Sequence, residues 1–138
     1  MNMDESLYEK IKSKCEEADN LYDDSLFFDA CKKYQEALAI IPEPKEEWEA
    51  STWVYTALGD TWSEIGNVNN ALQAFMSAEK CPDGTTNPYI QLRIGMCFLD
   101  LNNTMLAKEY LIRAYMLDGE EIFDDTDPKY FNLIKPFV

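Results

Sequence analysis

Residues 57–80 read ALGDTWSEIGNVNNALQAFMSAEK, and Gly59 stands inside an apolar pattern with the spacing of a helix. A glycine in a helix interior costs about 1 kcal/mol against alanine, so packing has to offset it. The pattern returns 36 residues further on. There Gly95 takes the place of Gly59, Phe98 that of Trp62, Ala107 that of Ala71, Leu111 that of Phe75 and Ala114 that of Ala78. Positions matched in size at one constant shift define a repeat, and a repeat of this length predicts stacked helical hairpins. Small residues where helices cross let the backbones approach, and large residues beside them fill the space.

A weaker copy lies upstream. Ala18, Leu21, Ala30, Tyr34 and Ala37 precede Gly59, Trp62, Ala71, Phe75 and Ala78 by 41 residues, with the excess in the proline-marked stretch IIPEPKEEWEAS, residues 40–51. The signature resembles the tetratricopeptide repeat family. Its second repeat carries Tyr55, Leu58, Gly59, Trp62, Ala71, Phe75 and Ala78, with Pro82 one place early. Its third carries Ile94, Gly95, Phe98, Ala107, Leu111 and Ala114, with Gly119 where proline is usual. In the first, Glu17 replaces the expected leucine, which suits an end repeat with a wet outer face. The resemblance implies an all-α fold, a right-handed α-α superhelix of three hairpins whose first helices line a concave face. Residues 1–138 are then one domain, with repeats at about 11–42, 52–83 and 88–121 and a capping segment at 122–138.

Local signals place helices near 4–22, 26–41, 44–65, 68–80, 88–101 and 104–118. The stretch CPDGTTNP, residues 81–88, stops one helix at Pro82 and turns at Asp83-Gly84. It restarts with Asn87 as N-cap and Pro88 in the first turn. In the tail, Asp127 and Pro128 open a short amphipathic helix ended at Pro136. Its Tyr130, Phe131, Leu133, Ile134 and Phe137 are expected to cover the third repeat, since solenoids need capped ends.

Composition narrows the function. Twenty-six acidic against twelve basic residues give a net charge of −14. The excess is uneven, because residues 81–117 hold three acids and three bases while every flanking segment is acidic. Such a field repels nucleic acid and anionic membranes and draws in basic partners. No run of about 18 apolar residues and no secretory leader is seen, so a soluble, cytoplasmic protein is expected. Cysteines 15, 31, 81 and 97 lack the close spacing of zinc or redox pairs, and free thiols are the expectation.

No histidine is present, which removes the usual general base near neutral pH and the commonest metal ligand. No glycine-rich phosphate loop or nucleophile elbow occurs. A calcium loop beginning at Asp125 fails, with Lys129 at a ligand position and Tyr130 at the obligatory glycine. The chain reads as a non-enzyme without metal or cofactor.

What remains is a binding surface. Helical spacing from the signature residues leaves a free stripe on each first helix: Lys12, Cys15, Asp19 and Tyr22; then Trp53, Thr56, Asp60 and Ser63; then Tyr89, Leu92, Met96 and Leu99, with Arg93 alongside. Tyr22, Trp53, Asp60, Tyr89, Arg93 and Met96 are the expected partner-binding residues, because exposed Trp and Tyr are typical interface anchors. The competing expectation is that Trp53 and Tyr89 pack on one another or under the EPKEEW segment, residues 43–48. The lysine-and-asparagine carboxylate clamp of tetratricopeptide co-chaperones is not matched, since Asp19 and Asp60 would repel an acidic peptide.

The ending GEEIFDDTDPKYFNLIKPFV, residues 119–138, is similar to that of small bacterial tetratricopeptide proteins found beside polymorphic or contact-dependent toxins. The resemblance implies an immunity protein that occludes a basic toxin domain. A peptide-binding adaptor or secretion chaperone is the alternative, and a carboxylate-dependent enzyme is a remote one.

Overall fold

The structure is a computed structural model that describes residues 3–138. Among these, α1 (Glu5–Asp23) pairs with α2 (Phe27–Ile40), α3 (Glu49–Ile65) with α4 (Val68–Glu79), and α5 (Pro88–Asp100) with α6 (Thr104–Asp118). A short α7 (Pro128–Ile134) follows. Between hairpins, α2 packs on α3 and α4 on α5, giving the all-helical tetratricopeptide-like stack that the repeat predicts.

Both glycines lie where bulk would collide. A Cβ on Gly59 would sit 2.7 Å from the Phe75 ring, and one on Gly95 would sit 2.7 Å from the Leu111 side chain. The large residue of each second helix therefore lies directly over the glycine of the first. Trp62 and Phe98, expected to fill the same crossings, are half-buried at their edges.

The hairpin turns share one device. Ser25, Gly66 and Asn102, at equivalent places in the repeats, all take positive φ, at 61°, 90° and 64°. This left-handed conformation ends each first helix. Asn67 and Asn103 then cap the second helices by accepting from Asn70 N and Leu106 N.

One connection differs from expectation. The helix foreseen over 44–65 is interrupted: Lys45–Glu47 form a 3₁₀ turn, Trp48 is extended, and the α-helix starts at Glu49. Trp48 is buried, and its indole N–H donates to the Pro42 carbonyl at 2.9 Å, which holds the chain extended there. At residues 81–88 the chain turns at Asp83-Gly84 as expected, with Asp83 taking the left-handed φ, at 61°. Gly84 is packed against the Ala78 and Glu79 carbonyls, where no Cβ fits. Asn87 caps α5 as expected, accepting from Tyr89 N at 2.9 Å and Ile90 N at 3.2 Å.

The tail closes the third hairpin. Tyr130 and Ile134 are buried with Leu92, Leu111, Ala114 and Phe123, and the Tyr130 hydroxyl donates to Asp100 at 2.7 Å. The N-cap Asp127 accepts from Lys129 N at 2.9 Å. Pro136 does not end the segment: a 3₁₀ turn runs through Lys135–Phe137, and Phe137 stays exposed beneath the Lys108 ammonium, 4.9 Å from its ring.

Candidate binding groove

Three recesses follow one another along the faces of α1 and α3. The first lies at the N-terminal edge and is lined by Met3, Tyr8, Glu47, Trp48 and Pro82 among others. Tyr8 also borders the second, a hollow of about 330 Å³ with Lys12, Glu16, Asp19, Tyr34, Trp53, Val54 and Ala57 on its walls. Asp19, Tyr34 and Ala57 then continue into the third, which adds Tyr22, Asp23 and Asp60. Shared residues make the three a single groove. Carboxylates line both ends, Glu5, Glu47 and Glu49 at the N-terminal edge and Asp19, Asp23 and Asp60 at the other, with Tyr8 and Trp53 between them.

Phenol–carboxylate hydrogen bonds fix the side chains that line it. Tyr34 on α2 donates to Asp19 on α1. Tyr89 on α5 donates to Asp60 on α3 at 2.6 Å, and Tyr22 on α1 donates to Glu64 on α3 at 3.3 Å. Each bond joins two helices, so the carboxylates are held in place, and of the three Asp19 and Asp60 line the groove with lone pairs left to accept from a ligand. Burial pushes the Asp60 carboxyl above its usual range, against the Tyr89 hydroxyl and the Arg93 charge, which hold it down. A carboxylate kept here costs stability instead of contributing it. Burial also raises the Tyr34 and Tyr89 phenols, with the aspartate beside each adding to the rise, so both remain donors.

Trp53 is 40% exposed and meets Tyr8 edge-on, with ring centroids 6.4 Å apart. It does not pack on Tyr89, which is bonded to Asp60 instead. Arg93 lays its guanidinium 5.3 Å from the Phe75 ring and 5.9 Å from that of Tyr89. Its Nε is buried without a hydrogen-bond partner.

Of the residues expected from the sequence, Tyr22, Asp60, Tyr89 and Arg93 come together, and Trp53 stands at the other end of the same groove. Met96 lies apart, half-buried in a smaller recess with Ser63, Val68, Arg93, Cys97 and Asp100. Leu92, placed on the free stripe by spacing, is buried in the core under the tail, whereas Cys15, also largely buried, lines the hollow beside Lys12 and Trp53 as the spacing predicts. Tyr8, Tyr34 and Glu16 were not foreseen. Tyr34 comes from a second helix, which spacing along the first helices does not reach.

The groove offers hydrogen-bond acceptors, aromatic faces and negative charge. Among the described residues, no group of three or more Cys, Asp or Glu side chains is placed to hold a metal ion. All four cysteines are free and buried, and burial pushes each thiol up to about 11. No described helix is long and apolar enough to cross a membrane.

No protein-family model matches the chain, and no curated protein matches it by sequence. Solved structures do. The Yersinia enterocolitica type III secretion chaperone SycD, in complex with a peptide of the translocator YopD, superposes with a TM-score of 0.72 at 15% identity. The match covers 93% of this chain and 92% of SycD. PcrH in complex with the chaperone-binding region of PopB gives 0.68 at 16% identity, covering 98% of this chain and 94% of PcrH. PcrH from Pseudomonas aeruginosa gives 0.71 at 15%, with coverage of 98% and 94%. The fold is that of these helical-repeat secretion chaperones.

Proposed function

We propose that the protein is a non-catalytic adaptor or secretion chaperone, one tetratricopeptide domain that holds a segment of a partner protein along α1 and α3. The continuous groove carries this reading. An apolar side chain of the segment rests against Tyr8, Trp53, Val54 and Ala57, and a basic side chain reaches Asp19, Asp23 and Asp60. Tyr89 and Arg93 border the far end, where Arg93 meets a backbone carbonyl or an acidic group. Met96 extends the surface towards the third hairpin. SycD, which shares the fold, holds a peptide of the translocator YopD, and PcrH holds the chaperone-binding region of PopB, and this weighs for peptide capture over the immunity protein expected first.

One observation keeps that second reading in play. A net charge of −14, with seven carboxylates along the groove and its N-terminal edge, suits a whole basic domain as well as a basic peptide.

The test uses peptides tiled across the proteins encoded beside this gene, titrated by fluorescence anisotropy. Tight binding of one short segment is expected. Trp53→Ala should weaken it by about 30-fold, since a desolvated Trp anchor is worth about 2 kcal/mol or more. Asp60→Lys should weaken it too, with both variants melting near wild type. Equal binding by both folded variants would remove the groove as the site. Binding only by an intact basic domain, and by none of its peptides, would favour occlusion.

A further inference from the structure

Helix α3 begins at Glu49, ten residues before Gly59, whereas α5 begins at Pro88, seven before Gly95, so α3 is longer by nearly one turn at its N-terminal end. That extra turn and the 3₁₀ turn before it meet α1 in the recess at the N-terminal edge. At about 620 Å³ this recess is nearly twice the size of the hollow of about 330 Å³ beside Trp53. Its apolar walls are Met3, Tyr8, Trp48 and Pro82, and its carboxylates are Glu5, Glu47 and Glu49, all three exposed. The walls are fixed. The Trp48 indole is tied to the Pro42 carbonyl, and the Thr52 hydroxyl donates to the Pro82 carbonyl at 2.8 Å.

The three carboxylates lack a counter-ion. Among the described residues no ion pair engages any of them. Lys45, the nearest base in the chain to Glu47 and Glu49, is turned away: its Nζ pairs with Glu43 at 3.0 Å and donates to the Ile41 carbonyl at 2.9 Å. First helical turns favour acids, which accounts for Glu5 and Glu49. The N-termini of α1 and α3 supply about half a positive charge each, so about two of the three negative charges stay uncompensated.

We propose that this recess is a second side-chain subsite of the groove and takes a lysine or arginine, so that the bound segment carries a basic residue on each side of its apolar anchor. This rests on the reading of α1 and α3 as a peptide groove. Such a side chain has an apolar stem and a charged head. The stem lies along Met3, Trp48 and Pro82, and the head reaches Glu47 and Glu49. Tyr8 borders both the recess and the hollow, so one segment fills both. Lys12, the only base on the walls of the hollow, keeps the middle of the segment from being basic. Along α3, Glu49 stands four residues before Trp53, about 6 Å, and Asp60 seven residues after it, about 10 Å. An extended chain covers these spans in about two and three residues. The expected pattern, read in one direction or the other, is basic, any, apolar, any, any, basic.

Fluorescence anisotropy with two end-capped hexapeptides tests this: arginine-serine-leucine-serine-serine-arginine and its reverse, which together cover both directions of binding. One of them should bind, and more weakly once either arginine is replaced by glutamine. Glu47→Gln with Glu49→Gln should weaken that peptide by about tenfold, with unchanged helicity and melting. The same double variant should bind the version whose arginine two places from leucine is glutamine as wild type does. Trp53→Ala should weaken both versions. An equal fall for both in the double glutamine variant, or none for either, would overturn the subsite, while the Trp53 effect still supports the groove. Indifference to Trp53→Ala would overturn the groove and the subsite with it. Binding of neither hexapeptide at millimolar concentration would overturn the two-base pattern, while the tiled peptides still decide the groove.

Discussion

The ring of Phe75 lies directly against the backbone of Gly59, with its Cε1, Cδ1 and Cζ atoms all 2.7–2.8 Å from where a Cβ would stand. This one contact joins α3 to α4, and the pair Gly95–Leu111 repeats it between α5 and α6. The first hairpin solves the same crossing with Ala18 and Tyr34, both buried, and the Tyr34 hydroxyl continues outward to Asp19. The hairpin contact and the groove wall are therefore built from the same side chain.

Gly59→Leu should destabilise the protein by about 3 kcal/mol, because the ring is fully buried and the added side chain has to displace it. Gly59→Ala should cost less, since the Ala18–Tyr34 crossing accommodates a methyl group and alanine favours the helix. Urea unfolding followed by circular dichroism measures both. A Gly59→Leu variant with wild-type stability would show that the crossing is loose.

The tail contributes to stability through Ile134, which is fully buried in the third cluster. Ile134→Ala should cost about 2–4 kcal/mol. Tyr130→Phe, which deletes only the hydroxyl bonded to Asp100, should cost about 1 kcal/mol. If both melt as wild type does, the tail is not part of the folding unit.

Asp60 makes the pH dependence of stability testable. Its carboxyl is raised above the unfolded value by burial, so the folded state holds this proton more tightly than the unfolded state does. The group therefore costs stability above its folded pKa, and that cost fades as pH falls through it. Asp60→Asn keeps an oxygen acceptor for the Tyr89 hydroxyl and lacks the charge. It should melt higher than wild type at pH 7, with the gain shrinking towards pH 4. A constant difference across that range would place the Asp60 carboxyl in water.

Acidity along the groove should appear in kinetics. If it guides a basic segment inward, the association rate should fall steeply from low to moderate salt while dissociation changes little. Stopped-flow mixing of the peptide found by tiling measures both rates. Salt-independent association would leave the charge as a solubility feature alone.

Gly59, Gly95 and their alanine partners made the three hairpins legible in the sequence, because close helix crossings tolerate few residue types and recur at fixed spacing. Asparagine, aspartate and proline signals likewise marked Asn87 and Asp127 as caps, since capping depends on residues adjacent in the chain, while the caps at Asn67 and Asn103 came from the structure. The groove obeyed a different logic. Spacing along one helix marked Tyr22, Trp53, Asp60 and Tyr89, yet it also marked Leu92, which the tail buries from 30 residues away. It missed Tyr34, which enters from the neighbouring helix. Pairings such as Tyr89 with Asp60, and Trp53 with Tyr8, depend on how one hairpin rotates against the next. That rotation is set by packing among all three, so only the tertiary structure decided which of the exposed residues share a surface.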